Sequence, residues 1–312
     1  MNRQLMLWMP NRDPYFFPII SILSGWGLLT IFRLDESYGF RQALWWSICI
    51  AALMWVIKDN KILHILRKYK YILLSSCLIM IGLTFFLGTY PSGAGPKLWL
   101  GCCGIYFQPS EPLKLLMVIF LAGYLADQVM ISIRPLTLII PSAILVSMAT
   151  ALLLAQQDLG TALLLILIYF AIVYFGTARR RILVIAGIIT VIAGIIGYNA
   201  FDVIRLRIMA WINPWLDAGG NSYQILQSIM GIANGGVFGS GLGIGSPGFI
   251  PVAISDFIFS AISEESGLFG VIALISLYLI LIMRAMVIAS QSHNPYIRFL
   301  SAGIAIYLAA QT

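Results

Sequence analysis

Charged side chains are scarce in this chain, and several of them gather at the ends of apolar runs. Glu111 and Lys114 stand three residues apart, and they share a face if helix begins at Pro112 or slightly earlier. Asp158 follows an apolar run directly, Asp256 sits within Ile-Ser-Asp-Phe-Ile-Phe, and Glu264 and Glu265 open the next run. Lys97, Arg205 and Arg207 supply cations in the same connecting segments. Ionisable groups at membrane depth are costly and tend to mark function, with a partner nearby. Residue types alone leave two readings open: a site that combines carboxylates with cations, or ion pairs that tie helices together.

Other motifs carry less. The run GGVFGSGLGIGSPG over 235–248 invites a nucleotide-binding reading, but no strand precedes it and no helix with a trailing acid follows. A flexible or tightly turning loop is the expectation there. His64 and His293 are isolated. Cys49 and Cys77 sit inside apolar runs, and the adjacent Cys102 and Cys103 have poor geometry for a mutual disulfide. No CxxC pair or His-rich tract suggests a structural metal.

The elements that must hold these residues follow from composition. Hydrophobic residues make up 60% of the 312 and charged residues only 10%, with a mean hydropathy of +0.94. Soluble domains carry about 25% charged residues, so here the bilayer must act as solvent. Apolar runs of about 20 residues recur, the length that crosses a hydrocarbon core as helix. We read spans near 15–33, 42–57, 71–90, 113–131, 135–155, 159–177, 182–199, 266–283 and 296–312. The predicted fold is an all-α polytopic transmembrane helical bundle in a single domain over 1–312. Residues 1–13 carry no apolar stretch of the kind found in a cleaved signal peptide.

Two connectors break the pattern, 91–112 and the long 199–265, and Trp211, Trp215, Tyr223, Phe249 and Phe257 argue that the second is ordered against the membrane surface. Lys and Arg split unequally between alternate loops: Arg33, Arg41, Lys97, Lys114, Arg205 and Arg207 fall on one face, the other thirteen on the opposite one. The rule that cytoplasmic loops are the richer in Lys and Arg places the N-terminus in the cytoplasm and 199–265 outside. Inner cations are read as topology signals and lipid-headgroup contacts. That distribution accounts for the net charge of +7 better than nucleic-acid binding does.

At these residues the chain resembles the FtsW/RodA/SpoVE (SEDS) family. Gln108-Pro109-Ser110-Glu111 with Lys114 is similar to that family's QPSE-x-x-K, and Gln156-Gln157-Asp158-Leu159-Gly160-Thr161 to its QPDLGT, with Gln157 in place of proline. Arg205-Leu206-Arg207 followed by Asn213-Pro214 resembles its R-x-R and downstream Asp-Pro, and Tyr223-Gln224 with Gln227-Ser228 its GYQ-x-x-QS. PVAISDFIFSAISEESG over 251–267 resembles PE-x-x-TDFIF-x-x-x-EE-x-G, with Val252 for Glu and Ser255 for Thr. The family carries Arg before the Trp of its first outer loop; here Leu98 precedes Trp99, and Lys97 can stand in. Members have ten spans, so the resemblance implies a chain that lacks the C-terminal end.

The resemblance implies a peptidoglycan glycosyltransferase that polymerises lipid II at the outer face of the cytoplasmic membrane, in cell division or cell-shape maintenance. It would invert configuration at the donor sugar, with a class B penicillin-binding protein as partner and no nucleic acid. Asp256 is the implied general base, in an apolar run that would partly desolvate it. Lys114, Arg205, Arg207 and Lys97 are the implied diphosphate contacts. Glu111, Asp158, Gln108, Ser110, Glu264 and Glu265 support them. A divalent cation (Mg or Mn) could bridge the diphosphate, though no oxygen-ligand cluster in the sequence demands one. The alternatives are a flippase for the lipid-linked precursor and a non-catalytic membrane scaffold.

Overall fold

The computed structural model describes residues 13–58, 61–90, 96–102, 105–129, 135–220 and 222–312. Arg3, Arg12 and Arg134, which belong to the larger set of thirteen cations, and Cys103 lie outside them. The chain forms two compact units, Met1–Asp59 with Ile192–Leu281, and Asn60–Val191 with Ile282–Thr312. Helices occupy all nine expected ranges: α1 Phe16–Leu34, α2 Glu36–Lys58, α4 Lys70–Leu87, α5 Ser110–Val129, α6 Pro135–Ala155, α7 Leu159–Thr177, α8 Arg180–Ala200, α11 Ile258–Gln291 and α12 Pro295–Gln311. Three more were not foreseen: α3 Lys61–Lys68, α9 Asp202–Ile212 and α10 Tyr223–Gly235. The all-α expectation holds, with one small addition. Leu100–Cys102 (β1) and Ile105–Phe107 (β2) form a small antiparallel hairpin in the first connector, with Gly101 opposite Tyr106.

Among the described residues, six helices (α1, α2, α4, α7, α8 and α11) are long and apolar enough to cross a membrane. α5 carries Glu111, Lys114 and Asp127, and α12 has only 17 residues. Their apolar signal is therefore weaker, although each fills an expected range.

The second unit has the denser core. Leu113, Met117, Val118, Phe120, Leu121 and Ala122 of α5 are wholly buried, because α4, α6, α7 and α12 pack around that helix. From Leu115 to Ala126 this helix is apolar apart from the Tyr124 hydroxyl, as burial on most of its sides requires. Local signals set several boundaries. Asp158 caps α7 by accepting from Thr161 N at 3.3 Å, and Asn294 caps α12 by accepting from Tyr296 N at 3.0 Å, with Pro295 as the first helical residue. Asp35 caps α2, and hydrogen bonds from the Ser37 hydroxyl and the Tyr38 N–H hold its carboxyl below the usual range.

Not all the cations expected on the inner face are lipid contacts. Lys70, 7% exposed, pairs with Asp127, and Arg67 Nη2 reaches the other oxygen of that carboxylate at 2.6 Å. The physical reason is burial: an ammonium inside the bundle needs a carboxylate close by. In the sequence Arg67 and Lys70 are three residues apart, but Asp127 lies 60 and 57 residues beyond them.

In the first unit, α11 is broken at Gly267, whose φ of 62° lies in the left-handed region. The expected span near 266–283 corresponds to the stretch after that break, so Glu264 and Glu265 belong to a short helical segment ahead of it. A Cβ at position 267 would collide with the backbone of Val237–Gly239. Glycine is required there both for its φ and for this close approach.

Candidate active site

The long connector is built of short helices. Val203, Leu206, Arg207 and Ala210 recur at the three- and four-residue spacing of one helical face, and that face of α9 lines a cavity of about 650 Å³. Gln224 and Ile225 of α10 close it from a second direction, and Asp256 and Phe257 from a third. The structure therefore brings Asp256 and Arg207 into one concavity together with Gln224.

The two arginines of the R-x-R motif part company. Two residues along a helix turn a side chain by about 200°. Arg205 accordingly leaves the cavity face, lies 3.6 Å from Asp202 and stacks over the Tyr198 ring at 5.6 Å.

Asp256 sits in a turn. The carbonyl of Val252 accepts from the N–H groups of Ser255, Asp256 and Phe257 at 3.1, 3.1 and 3.4 Å, and α11 begins two residues after Asp256. The expected desolvation is not found, because Asp256 is exposed. The apolar run Ile-Ser-Asp-Phe-Ile-Phe divides between turn and helix, which leaves the carboxylate facing an open cavity. Val252 pays for this turn with a φ of 56°, a backbone setting that a β-branched side chain disfavours by about 1–2 kcal/mol. Val252→Gly keeps the carbonyl and relieves the strain. The expected result is a small rise in thermal midpoint, read by unfolding in detergent; an unchanged or lower midpoint would mean that Val252 carries no strain.

Glu264 and Glu265 are 3% and 6% exposed and clasp the Gly-rich loop. Glu264 Oε1 accepts from Asn234 Nδ2 at 3.1 Å and from Ser246 N at 3.0 Å, while its backbone carbonyl accepts from Ser240 N at 2.9 Å. Glu265 forms a two-pronged ion pair with Arg33 of α1 and accepts from Gly243 N at 3.4 Å. Ser228 and Ser260 hydroxyls, 2.5 Å apart, join α10 to α11. The loop does turn tightly, with positive φ at Gly236, Gly239, Gly241 and Gly243. Arg33 was missed as a site residue. Its signal in the sequence is slight: it is one of the six cations of the smaller set, at the end of the first span.

The remaining expected residues belong to the second unit. Lys114 is 2% exposed, bonds Glu111 at 2.9 Å and lies 6.0 Å from the Tyr307 ring centre. Gln108 Nε2 donates to Ser110 Oγ at 2.9 Å, fixing the start of α5. Gln156 is buried and donates to Ile81 O at 2.6 Å and to Thr84 Oγ1. Asp158 Oδ2 is buried without a partner among the described residues. Lys97, exposed, lines a cavity of about 260 Å³ with Thr84, Gln156 and Gln157. Gln157, which replaces the family's proline, has a φ of 63° that a proline ring cannot reach.

A chain of several apolar helices, each long enough to cross a bilayer, defines a multi-pass membrane protein. The sequence profile of the FtsW/RodA/SpoVE family, described as "Cell cycle protein", matches residues 15–312, and the chain belongs to that family. It is 35% identical to the peptidoglycan glycosyltransferase RodA of Mycobacterium leprae, over 97% of this chain and 69% of that protein. Identity to the probable peptidoglycan glycosyltransferase FtsW of Geobacter metallireducens is 31%, over 95% of this chain and 79% of that one. Among solved structures, a chain of a peptidoglycan synthase complex that coordinates polymerization and crosslinking superposes with a TM-score of 0.75 at 25% identity, covering 96% of this chain and 85% of that one. The Thermus thermophilus rod shape determining protein RodA superposes at 0.68 with 22% identity, over 96% of this chain and 83% of that one, which supports the fold.

Proposed function

We propose that this chain is a peptidoglycan glycosyltransferase that extends glycan strands from lipid II, with Asp256 as the general base. One observation carries the site assignment: a carboxylate and a guanidinium, Asp256 and Arg207, line the same cavity. The acceptor hydroxyl oxygen attacks the anomeric carbon of the donor while Asp256 takes its proton. The bond from that carbon to the diphosphate oxygen breaks, undecaprenyl diphosphate leaves with the electron pair, and configuration inverts. An exposed Asp256 returns its proton to water between turnovers.

Cations must meet the charge that grows on the leaving diphosphate. Arg207 is the first of these, because it faces the cavity. Lys97, in the second unit, lines its own cavity and takes no part in this step. Arg205 is engaged by Asp202, and Lys114 of the second unit by Glu111, so each is tied to its own helix rather than free to grip phosphate. Glu264 and Glu265 hold the loop that leads into the Asp256 turn.

A divalent cation fits these residues poorly. No group of three or more His, Cys, Asp or Glu side chains able to hold a metal ion occurs among the described residues, and Asp256 is the one carboxylate on its cavity wall. No step above is routed through a metal.

The bias of Lys and Arg supports a cytoplasmic membrane location with the N-terminus inside and the cavity outside. A class B penicillin-binding protein is the proposed partner, on the strength of the synthase complex that shares the fold. The test is polymerisation of labelled lipid II by the purified chain, wild type against Asp256→Asn, with and without such a partner. Full polymerisation by the variant would remove Asp256 as base. Intact polymerisation with loss of lipid translocation would favour a flippase.

A further inference from the structure

Arg179, Arg180 and Arg181 serve nothing in the proposed reaction. Ala178 ends α7 in the left-handed conformation at φ 52°, which turns the chain within two residues into α8. The three arginines are exposed and line one concavity of about 410 Å³. Arg33, Arg67 and Arg205 each find a carboxylate, and Arg298 an aromatic ring. Among the described residues, none of the three arginines at this turn has such a partner. Three adjacent guanidiniums repel one another, and at the positive end of a helix dipole a shared anion would relieve them most.

A second observation says what kind of anion. Val184, Ile188 and Val191 follow Arg180 at the four-, eight- and eleven-residue spacing of one face of α8, and they are 62%, 54% and 62% exposed. The basic concavity thus continues onto a membrane-crossing helix whose apolar side chains, Leu183 and Ile185 among them, are exposed on its other faces as well. A soluble phosphate would use only the first of these features. A ligand with a phosphate head and hydrocarbon tails would use both.

We propose that the Arg179–Arg181 turn is a binding site for an acidic glycerophospholipid, with its phosphate held by the guanidiniums and its acyl chains laid along Val184 and Ile188. The inference is independent of the polymerase reading and of the Asp256 cavity.

The test uses the full chain in neutral detergent and counts bound lipid by native mass spectrometry. Phosphatidylglycerol is titrated against phosphatidylcholine, and inorganic pyrophosphate serves as a tail-less competitor. The variants are the triple Arg→Gln form, the triple Arg→Lys form and the single Arg180→Gln. Retention of phosphatidylglycerol over phosphatidylcholine is expected to fall about tenfold in the Gln triple, and less in the Lys triple, which keeps charge but loses the bidentate fork. Should the Gln triple fail to insert, Arg180→Gln is expected to show a smaller loss in the same direction. Unchanged retention in the Gln triple, or in Arg180→Gln when it is the form that inserts, would leave these residues as topology signals and overturn the proposal. Displacement of the lipid by low concentrations of pyrophosphate would overturn the lipid assignment in favour of a plain anion site.

Discussion

Asp256→Asn is expected to lower the rate of lipid II polymerisation by about 10²- to 10⁴-fold, the usual contribution of a positioned general base. The amide keeps the size and shape of the carboxylate but cannot take a proton. Side effects on folding should be slight, because the Asp256 side chain is exposed and no hydrogen bond or ion pair is described for it. Exposed substitutions of this kind fall within about 0.5 kcal/mol of neutral. Stability and catalysis should therefore separate cleanly: an unchanged thermal midpoint together with a large loss of glycan product. Asp256→Glu keeps a base and should retain part of the activity, limited by misplacement of the carboxylate. Arg207→Ala is the companion measurement. It removes the cation from the same cavity wall and should also slow the chemical step while lipid II still binds. Equal rates for wild type and Asp256→Asn in a single-turnover assay would end the proposal for this residue.

The sequence was legible where one physical requirement dominated. Membrane spans must be long and apolar, and each of the nine expected ranges holds a helix, with α6 and α7 at the expected residues. Charge at the span ends likewise points to residues that sit in cavities or ion pairs, Asp158 excepted, which caps a helix. What escaped depended on tertiary contact. α9 and α10 lie in a connector whose apolar residues are too few for a span, and their helical faces become visible only when Arg207 and Gln224 are seen on one cavity wall. Arg205 and Arg207 look equivalent in sequence, yet the pitch of α9 sends them to different neighbours. The partners of Glu265 and Asp127 are 232 and up to 60 residues away, beyond the reach of any local spacing rule. The apolar run around Asp256 predicts a buried carboxylate, whereas the turn at Val252 lifts it out.

The Arg33–Glu265 pair supplies the other large effect, and its two halves should not be equivalent. Arg33 Nη1 meets Glu265 Oε2 at 2.6 Å and Nη2 engages the second oxygen, so the contact is bidentate. The Glu265 side chain is 6% exposed and that of Arg33 is 32% exposed. Arg33→Ala strands a buried carboxylate whose remaining described partner is Gly243 N at 3.4 Å. Stranding a buried charge costs about 3–5 kcal/mol, and a partly wet partner puts the expectation near the lower end, about 3 kcal/mol. Glu265→Ala leaves a guanidinium that can turn towards water, so its cost should be smaller. The double variant should then be more stable than the sum of the two single changes requires, with a coupling energy of about 1–3 kcal/mol. Thermal unfolding in detergent reads these differences, and limited proteolysis of 235–248 reads whether the Gly-rich loop has come loose. The loop runs into Pro251 and the Asp256 turn, so a loosened clasp should also depress polymerisation, although neither residue lies on the wall of the Asp256 cavity. Strict additivity of the two single variants would show that the pair holds nothing in place.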